Sequence, residues 1–323
     1  MKLFFVTLIL VFLAGFLMQA PFERLKNKAF LVAGIQSAEE QKKMEETLEE
    51  KRRAIFNAIA LEAEAVIVRE YPGGAVLFEK NADEARPLAS LAKLMTAFIA
   101  ADITQRNTSP FSYVVPITER AVLQEGDSRL LIGEDFLLPD LSDIMLLDSS
   151  NDAAYALALF AGMKLFDAPI GEEFAIRAFV SLMNTKKEVL GLPSLYFWNP
   201  TGLDREEEFA PGAVGSARDV VELFDALMRA YPAVIEKTNR PAVSIPSSVT
   251  THTFTNTNIL ATPLPGLVAS KTGFTDLAGG NLAVVIDIAP GRSVMIVVLG
   301  STSDGRFEDA LELYNALIEY YKE

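Results

Sequence analysis

Two hydrophobic periods divide the chain. Ala65 to Glu70 (AVIVRE), the turn Tyr71 to Gly74 (YPGG) and Ala75 to Lys80 (AVLFEK) predict a β-hairpin. Asn81 to Pro87 (NADEARP) reads as a loop. From there to about residue 235 the spacing of apolar positions is mostly helical. Examples are Pro139 to Ser149, Asn151 to Ala161 and Ser216 to Ala230. Strand-like runs return at Leu267 to Thr275, Asn281 to Ala289 and Ser293 to Ser301. The segment Arg306 to Tyr321 predicts a closing amphipathic helix, with Phe307, Leu311, Tyr314, Leu317, Ile318 and Tyr321 on one face. Strands therefore come from both ends of the sequence, with helices between. The expected class is α/β, of the α+β kind: a mixed antiparallel sheet flanked by helices, plus an all-helical subdomain. In residue terms the sheet half is 61–89 with 236–323, the helical half is 90–235, and 61–323 is one folded domain.

The first sixty residues read differently. Lys2 is followed by an almost unbroken apolar run to Ala20, at the lower edge of length for a membrane span. A cleaved secretory signal has the same charged start but a shorter apolar region and a small-residue exit, and Met18-Gln19-Ala20 is a poor exit. An uncleaved anchor over 1–20 is the expectation. Residues 21–60 read as a helical stalk or linker. Glu39/Lys43 and Glu49/Arg53 are spaced four apart in the favourable order, and Met44, Leu48, Ile55 and Ile59 form a narrow apolar stripe.

Composition removes several chemistries. The net charge of −14 argues against nucleic-acid binding, which needs clustered lysine and arginine. The chain has no cysteine, so disulfides, thiol nucleophiles and thiolate metal sites are excluded. Its single histidine, His252, leaves no histidine-rich zinc centre. Lying between Thr251 and Thr253, it is expected on the surface or in a loop, without a catalytic role.

Three polar stretches stand out against the apolar pattern. In Arg86 to Phe98 (RPLASLAKLMTAF), Ser90 and Lys93 are three apart at the head of a helical run, so they share a face. A serine hydroxyl is a weak nucleophile until a base takes its proton. A lysine can be that base only when neutral, and burial and the positive helix start both disfavour its ammonium. Moving a lysine from about 10.4 to about 7.5 costs roughly 4 kcal/mol. The same helix start would aim backbone N–H groups at a carbonyl oxygen under attack. The second stretch, Leu147 to Ala154 (LDSSNDAA), sits between two helices and offers Ser149 and Asn151. The third, Val268 to Asp276 (VASKTGFTD), puts Lys271, Thr272 and Gly273 in a strand, where a glycine suggests close approach of another backbone.

An S-x-x-K, an S-x-N and a K-T-G in this order form the motif set of penicillin-binding proteins and class A β-lactamases. From about Ala65 onward the chain resembles the serine-type D-alanyl-D-alanine carboxypeptidases, the low-molecular-mass penicillin-binding proteins of the S11 peptidase family. The resemblance extends to FWNPTGLD (Phe197 to Asp204), NTN (Asn256 to Asn258) and VVLGSTSDGRFEDA. It implies a β-lactamase/transpeptidase-like fold and no cofactor or metal. The implied substrate is a peptidoglycan stem peptide ending in D-Ala-D-Ala, with β-lactams as covalent inhibitors. In residue terms it implies Ser90 as nucleophile, Lys93 as base, and Ser149 with Lys271 as a proton relay to the leaving group. Asn151 would hold the substrate amide and orient Lys93. The N–H groups of Ser90 and Phe274 would form the oxyanion site, and Thr272 and Arg306 would grip the terminal carboxylate. Arg306 could instead be a surface or capping residue at a helix start. The chain departs from many relatives at Ala92, often threonine, and Ser150, often glycine; neither supplies an atom to this scheme. The implied location is the cell membrane, with the catalytic domain on the extracytoplasmic side, or secretion if the leader is cleaved. A D,D-endopeptidase, a β-lactamase and an inactive wall-binding scaffold are the alternatives.

Overall fold

The computed structural model describes residues 41–44, 46–51, 53–105, 113–126, 129–166 and 169–322. The expected anchor at 1–20 lies outside them. Among the described residues no helix is long and apolar enough to cross a membrane. The chain divides into a unit of residues 1–58 (with residue 323) and a unit of residues 59–322. In the first, residues 41–44, 46–51 and 53–57 are helical.

The second unit is built on a five-stranded antiparallel sheet. Its strands are β1 (Ala65–Tyr71), β2 (Val76–Lys80), β3 (Leu267–Thr275), β4 (Gly279–Ala289) and β5 (Arg292–Ser301), in the order β3-β4-β5-β1-β2. The first and last strands of the unit pair directly, with Val66 opposite Val298 and Val68 opposite Ile296. Leu282 to Ile286 and Val294 to Leu299 are fully buried, because helices cover both sheet faces. Ala65, Ile67, Ala283, Val285, Met295, Val297 and Leu299 join the main core with the helical half. The residues alternating with them face the other side, where α6 (Gly305–Tyr320) packs on β4 and β5. The buried stripe of α6 is Phe307, Ala310, Leu313, Leu317 and Tyr320. It is rotated from the expected face, leaving Leu311, Tyr314, Ile318 and Tyr321 at its margin.

The helical half contains α1 (Lys93–Gln105), α2 (Leu138–Leu147), α3 (Asn151–Met163), α4 (Glu172–Leu190) and α5 (Ala217–Ala230). Short strands interrupt it where the spacing predicted only helix or loop. Arg86–Pro87 and Tyr196–Phe197 both pair with Ala213–Gly215. These pairings bring the segment before Ser90 against the start of the NPTGLD stretch.

A hairpin, Ala242–Pro246 with Thr251–Thr255, was not anticipated. Its inward residues Val243, Ile245 and Phe254 are buried, so the period of two is present but short. His252 lies on this hairpin rather than in a loop. Its Nε2 is 2.6 Å from Oε1 of the fully buried Glu134, and it has only 13% side-chain exposure. Its aromatic neighbours are Phe136 and Phe254.

Candidate active site

Ser90 sits on a tight 3₁₀ turn, Ala89–Ala92, that leads into α1, rather than in the first α-helical turn. This makes the three-residue spacing more effective, because side chains at i and i+3 eclipse in a 3₁₀ turn. Ala89 takes a left-handed conformation, φ 48°, to enter it. Lys93 follows and is completely buried. Its Nζ is 2.7 Å from Ser90 Oγ, 2.7 Å from Asn151 Oδ1 and 3.1 Å from the carbonyl oxygen of Thr201. Burial draws this lysine down from an ordinary value of 10.5 to about 7.

The partners of that amine fix its direction. A neutral amine has two N–H donors and one lone pair. Two of the three neighbours, Asn151 Oδ1 and Thr201 O, are carbonyl oxygens that can only accept. In the neutral form both hydrogens go to these carbonyls and the lone pair is left for the Ser90 hydroxyl; in the ammonium form the third hydrogen is donated to Ser90 Oγ.

Asn151 opens α3 after Ser149, whose backbone is left-handed at φ 61°. Asn151 Nδ2 donates to the carbonyl of Glu125 at 2.5 Å. Ser150 does have a task. Its Oγ caps α3 by accepting the N–H of Ala153 at 3.0 Å. The sequence signal was a serine directly before a helical run.

Lys271 is 1% exposed. Its Nζ donates to Ser149 Oγ at 2.8 Å and to the carbonyl of Thr272 at 2.7 Å. Burial lowers its proton affinity first, and the positive charges of Lys93 and Arg306 lower it further. Thr272 Oγ1 lies 2.5 Å from Thr257 Oγ1, in the NTN stretch.

Lys271 and Thr272 lie on β3, one of the two edge strands of the sheet. An edge strand has one row of backbone groups without a strand partner. Gly273 explains why the strand can approach the serine turn. A Cβ there would meet the carbonyl of Leu88 at 2.9 Å and the nitrogen of Ser90 at 3.2 Å. Arg306 Nη1 donates to the carbonyl of Gly273 at 2.6 Å, while its Nε is buried without a partner. Its guanidinium lies 5.9 Å from the ring centre of Phe274, which is exposed. Arg306 therefore faces the K-T-G strand rather than capping a helix on the surface.

The loop at 199–204 supplies none of the side chains expected in the site. Its carbonyls hold the site from below: Pro200 O accepts from Thr96 Oγ1 at 2.6 Å, and Thr201 O accepts from Lys93. Asn199 Oδ1 shapes the loop by accepting from Gly202 N and Thr201 Oγ1. Backbone carbonyls leave no residue-type signature, so only Asn199 and Gly202 could have pointed to this support. Gly202 has φ 81°, and a Cβ there would stand 1.9 Å from the carbonyl oxygen of Ala89. Gly202→Ala is therefore expected to destabilise the fold by about 2–3 kcal/mol. The measurement is the urea unfolding midpoint; a midpoint equal to wild type refutes the packing argument.

Four segments remote in sequence thus converge on one place. Residues 51–303 match the S11 peptidase family, D-alanyl-D-alanine carboxypeptidase. The chain belongs to this family. This S11 chain is 30% identical over 256 residues to a D-alanyl-D-alanine endopeptidase of Pseudomonas aeruginosa, with 77% of the chain and 75% of that protein covered. It is also 30% identical over 263 residues to the D-alanyl-D-alanine carboxypeptidase DacA of Escherichia coli K12. There the match covers 78% of the S11 chain but only 60% of DacA. Penicillin-Binding Protein D2 of Listeria monocytogenes, solved in an ampicillin-bound form, superposes with a TM-score of 0.64 at 29% identity. That match covers 80% of the S11 chain and 98% of the Listeria chain. The Streptomyces K15 DD-transpeptidase shares the fold, with a TM-score of 0.71. The β-lactamase/transpeptidase-like architecture expected from the sequence is therefore the observed one.

Proposed function

We propose that this protein is a serine D,D-carboxypeptidase that removes the terminal D-Ala from peptidoglycan stem peptides through an acyl-enzyme on Ser90. The observation that carries this reading is the buried Lys93 amine, 2.7 Å from Ser90 Oγ and within hydrogen-bond distance of Asn151 Oδ1 and Thr201 O, with its proton affinity lowered by burial to about 7. Substrate lies along the open edge of β3, as an added strand. Lys93 takes the Ser90 proton as Oγ attacks the carbonyl of the penultimate D-Ala. The N–H groups of Ser90 and Phe274 stabilise the oxyanion, at the place where Gly273 lets strand and turn meet. Lys271, through Ser149, gives a proton to the departing D-Ala nitrogen. Water then attacks the ester and frees Ser90. β-Lactams present a similar carboxylate and a strained amide, and acylate the same oxygen. The apolar segment at 1–20 holds the enzyme at the outer face of the membrane.

The carboxylate grip gives a test. A guanidinium hydrogen bond to a charged partner is worth about 1.5–3 kcal/mol, so Arg306→Ala should lower kcat/KM for D-Ala release about 10- to 100-fold. The substrate is a pentapeptide ending in D-Ala-D-Ala, and free D-Ala is measured. The variant should also lose wild-type discrimination against the same peptide as its C-terminal amide. Retained discrimination refutes the assignment.

An endopeptidase reading has its own support, because a relative at the same identity carries that name and is covered over more of its length. Digestion of purified sacculi separates the two: carboxypeptidase action releases D-Ala, and endopeptidase action converts cross-linked dimers to monomers.

A further inference from the structure

We propose that Thr257 is a positioning residue of this site: its hydroxyl donates to Thr272 Oγ1 and so turns the Thr272 hydrogen toward the terminal carboxylate of the substrate. The inference deepens the reading above and rests on its assignment of Thr272 to that carboxylate.

The stretch Asn256-Thr257-Asn258 has no part in the scheme above, yet it is built with care. Both asparagines are buried and serve the backbone. Asn256 Nδ2 donates to the carbonyls of Thr238 and Arg240, each at 2.8 Å, and its Oδ1 accepts the N–H of Asn258 at 2.8 Å. Asn258 Oδ1 accepts the N–H of Leu260 at 3.0 Å. The half-buried residue between them meets the K-T-G strand instead, with Thr257 Oγ1 2.5 Å from Thr272 Oγ1.

The fold holds these two hydroxyls at a set separation. Thr238, 2% exposed, is tied to both segments. Its Oγ1 accepts the N–H of Ser270 at 3.0 Å, and its carbonyl accepts Ser270 Oγ at 3.1 Å as well as Asn256 Nδ2. Ser270 lies on β3 two residues before Thr272, and Asn256 directly precedes Thr257. The Thr257 N–H is fixed in turn, donating to Leu147 O at the end of α2 at 3.0 Å.

Counting hydrogens shows what the pair does. Each threonine hydroxyl has one hydrogen and accepts through its lone pairs. The contact between them holds one hydrogen, from either side, and leaves the other spare. When Thr272 donates, it presents only lone pairs to the cleft. The spare hydrogen on Thr257 then goes to Leu147 O at 3.3 Å, a long bond to an oxygen that already accepts the Thr257 N–H. When Thr257 donates, the spare hydrogen belongs to Thr272. A carboxylate can only accept, so substrate selects the second arrangement. Donation by Thr257 also polarises the Thr272 hydroxyl, because hydrogen bonds in a chain strengthen one another.

The test compares D-Ala release from a pentapeptide ending in D-Ala-D-Ala with cleavage of the same peptide as its C-terminal amide. Thr257→Val should lower kcat/KM for the acid about fivefold, the usual worth of one hydrogen bond, through KM rather than kcat. The amide should lose less than about twofold. Thr257→Ser keeps a hydroxyl and should stay near wild type. Thr257→Ala carries the same expectations as valine and covers the case in which valine disrupts the fold. In a Thr272→Val background, Thr257→Val should cost nothing further, because its effect runs through Thr272. Wild-type values in the folded variants, equal losses for acid and amide, or a further loss in the Thr272→Val background each overturn the proposal. Failure of the underlying reading looks different: Thr272→Val that still discriminates acid from amide as wild type does means Thr272 does not hold the carboxylate.

Discussion

Ser90→Ala abolishes covalent labelling by a fluorescent penicillin, with no residual band above a heat-denatured control. The reason is stoichiometric: in the proposed mechanism the adduct is an ester of Ser90 Oγ, and the variant has no oxygen there. Other hydroxyls nearby cannot substitute. Ser149 Oγ faces Lys271, and no hydrogen bond joins it to Lys93. Its own backbone is fixed in a left-handed conformation. The substitution should leave the fold intact, since Ser90 is only partly buried and the turn's backbone bonds remain. Mapping the labelled wild-type peptide should return the segment around Ser90. Persistent labelling of a folded Ser90→Ala protein would refute the nucleophile.

Lys93→Ala gives the second large effect, a loss of about a thousandfold in the acylation rate constant, as removing a general base does. Lys93→Arg should not recover it, because a guanidinium keeps its proton. The wild-type rate should rise about tenfold per unit as pH increases toward about 7, then level off, because in the proposed mechanism the base is the neutral amine, and burial lowers Lys93 to about 7. The stability linkage has the same origin. Burial lowers Lys93 from 10.5 to about 7, so between those values the unfolded chain binds the extra proton. Its cost to the fold is complete below about 7, fades as pH rises, and is gone above 10.5. Wild-type stability relative to Lys93→Met should therefore increase by about 1.4 kcal/mol per unit over that window. Acylation that stays near the wild-type rate in Lys93→Ala, or a flat stability difference across the window, contradicts the neutral-base account.

Much of the site was legible because its chemistry conflicts with its pattern. Lys93 in an apolar helix start and Lys271 in an apolar strand break the hydrophobic period, and unpaired buried charge is costly enough to mark a task. The long strands and helices were legible for the opposite reason: Val284 to Ile286 and Val294 to Val298 satisfy the pattern without exception. The supporting contacts were harder to see. Thr201 and Glu125 act through main-chain carbonyls, which any residue supplies. The 242–255 hairpin has only three inward apolar residues, too few to outweigh its serines and threonines.

The pairing of β1 with β5 also orders events in time. Ala65 lies opposite Leu299, so the central pairing of the sheet spans nearly the whole folded unit. Such contacts must await synthesis of the last strand, and loop closure of this length slows folding. A growing polypeptide can form the turn carrying Ser90 and Lys93 long before Lys271 and Gly273 exist to complete the cleft. On the proposed mechanism, acylating power is therefore expected only once the sheet is finished.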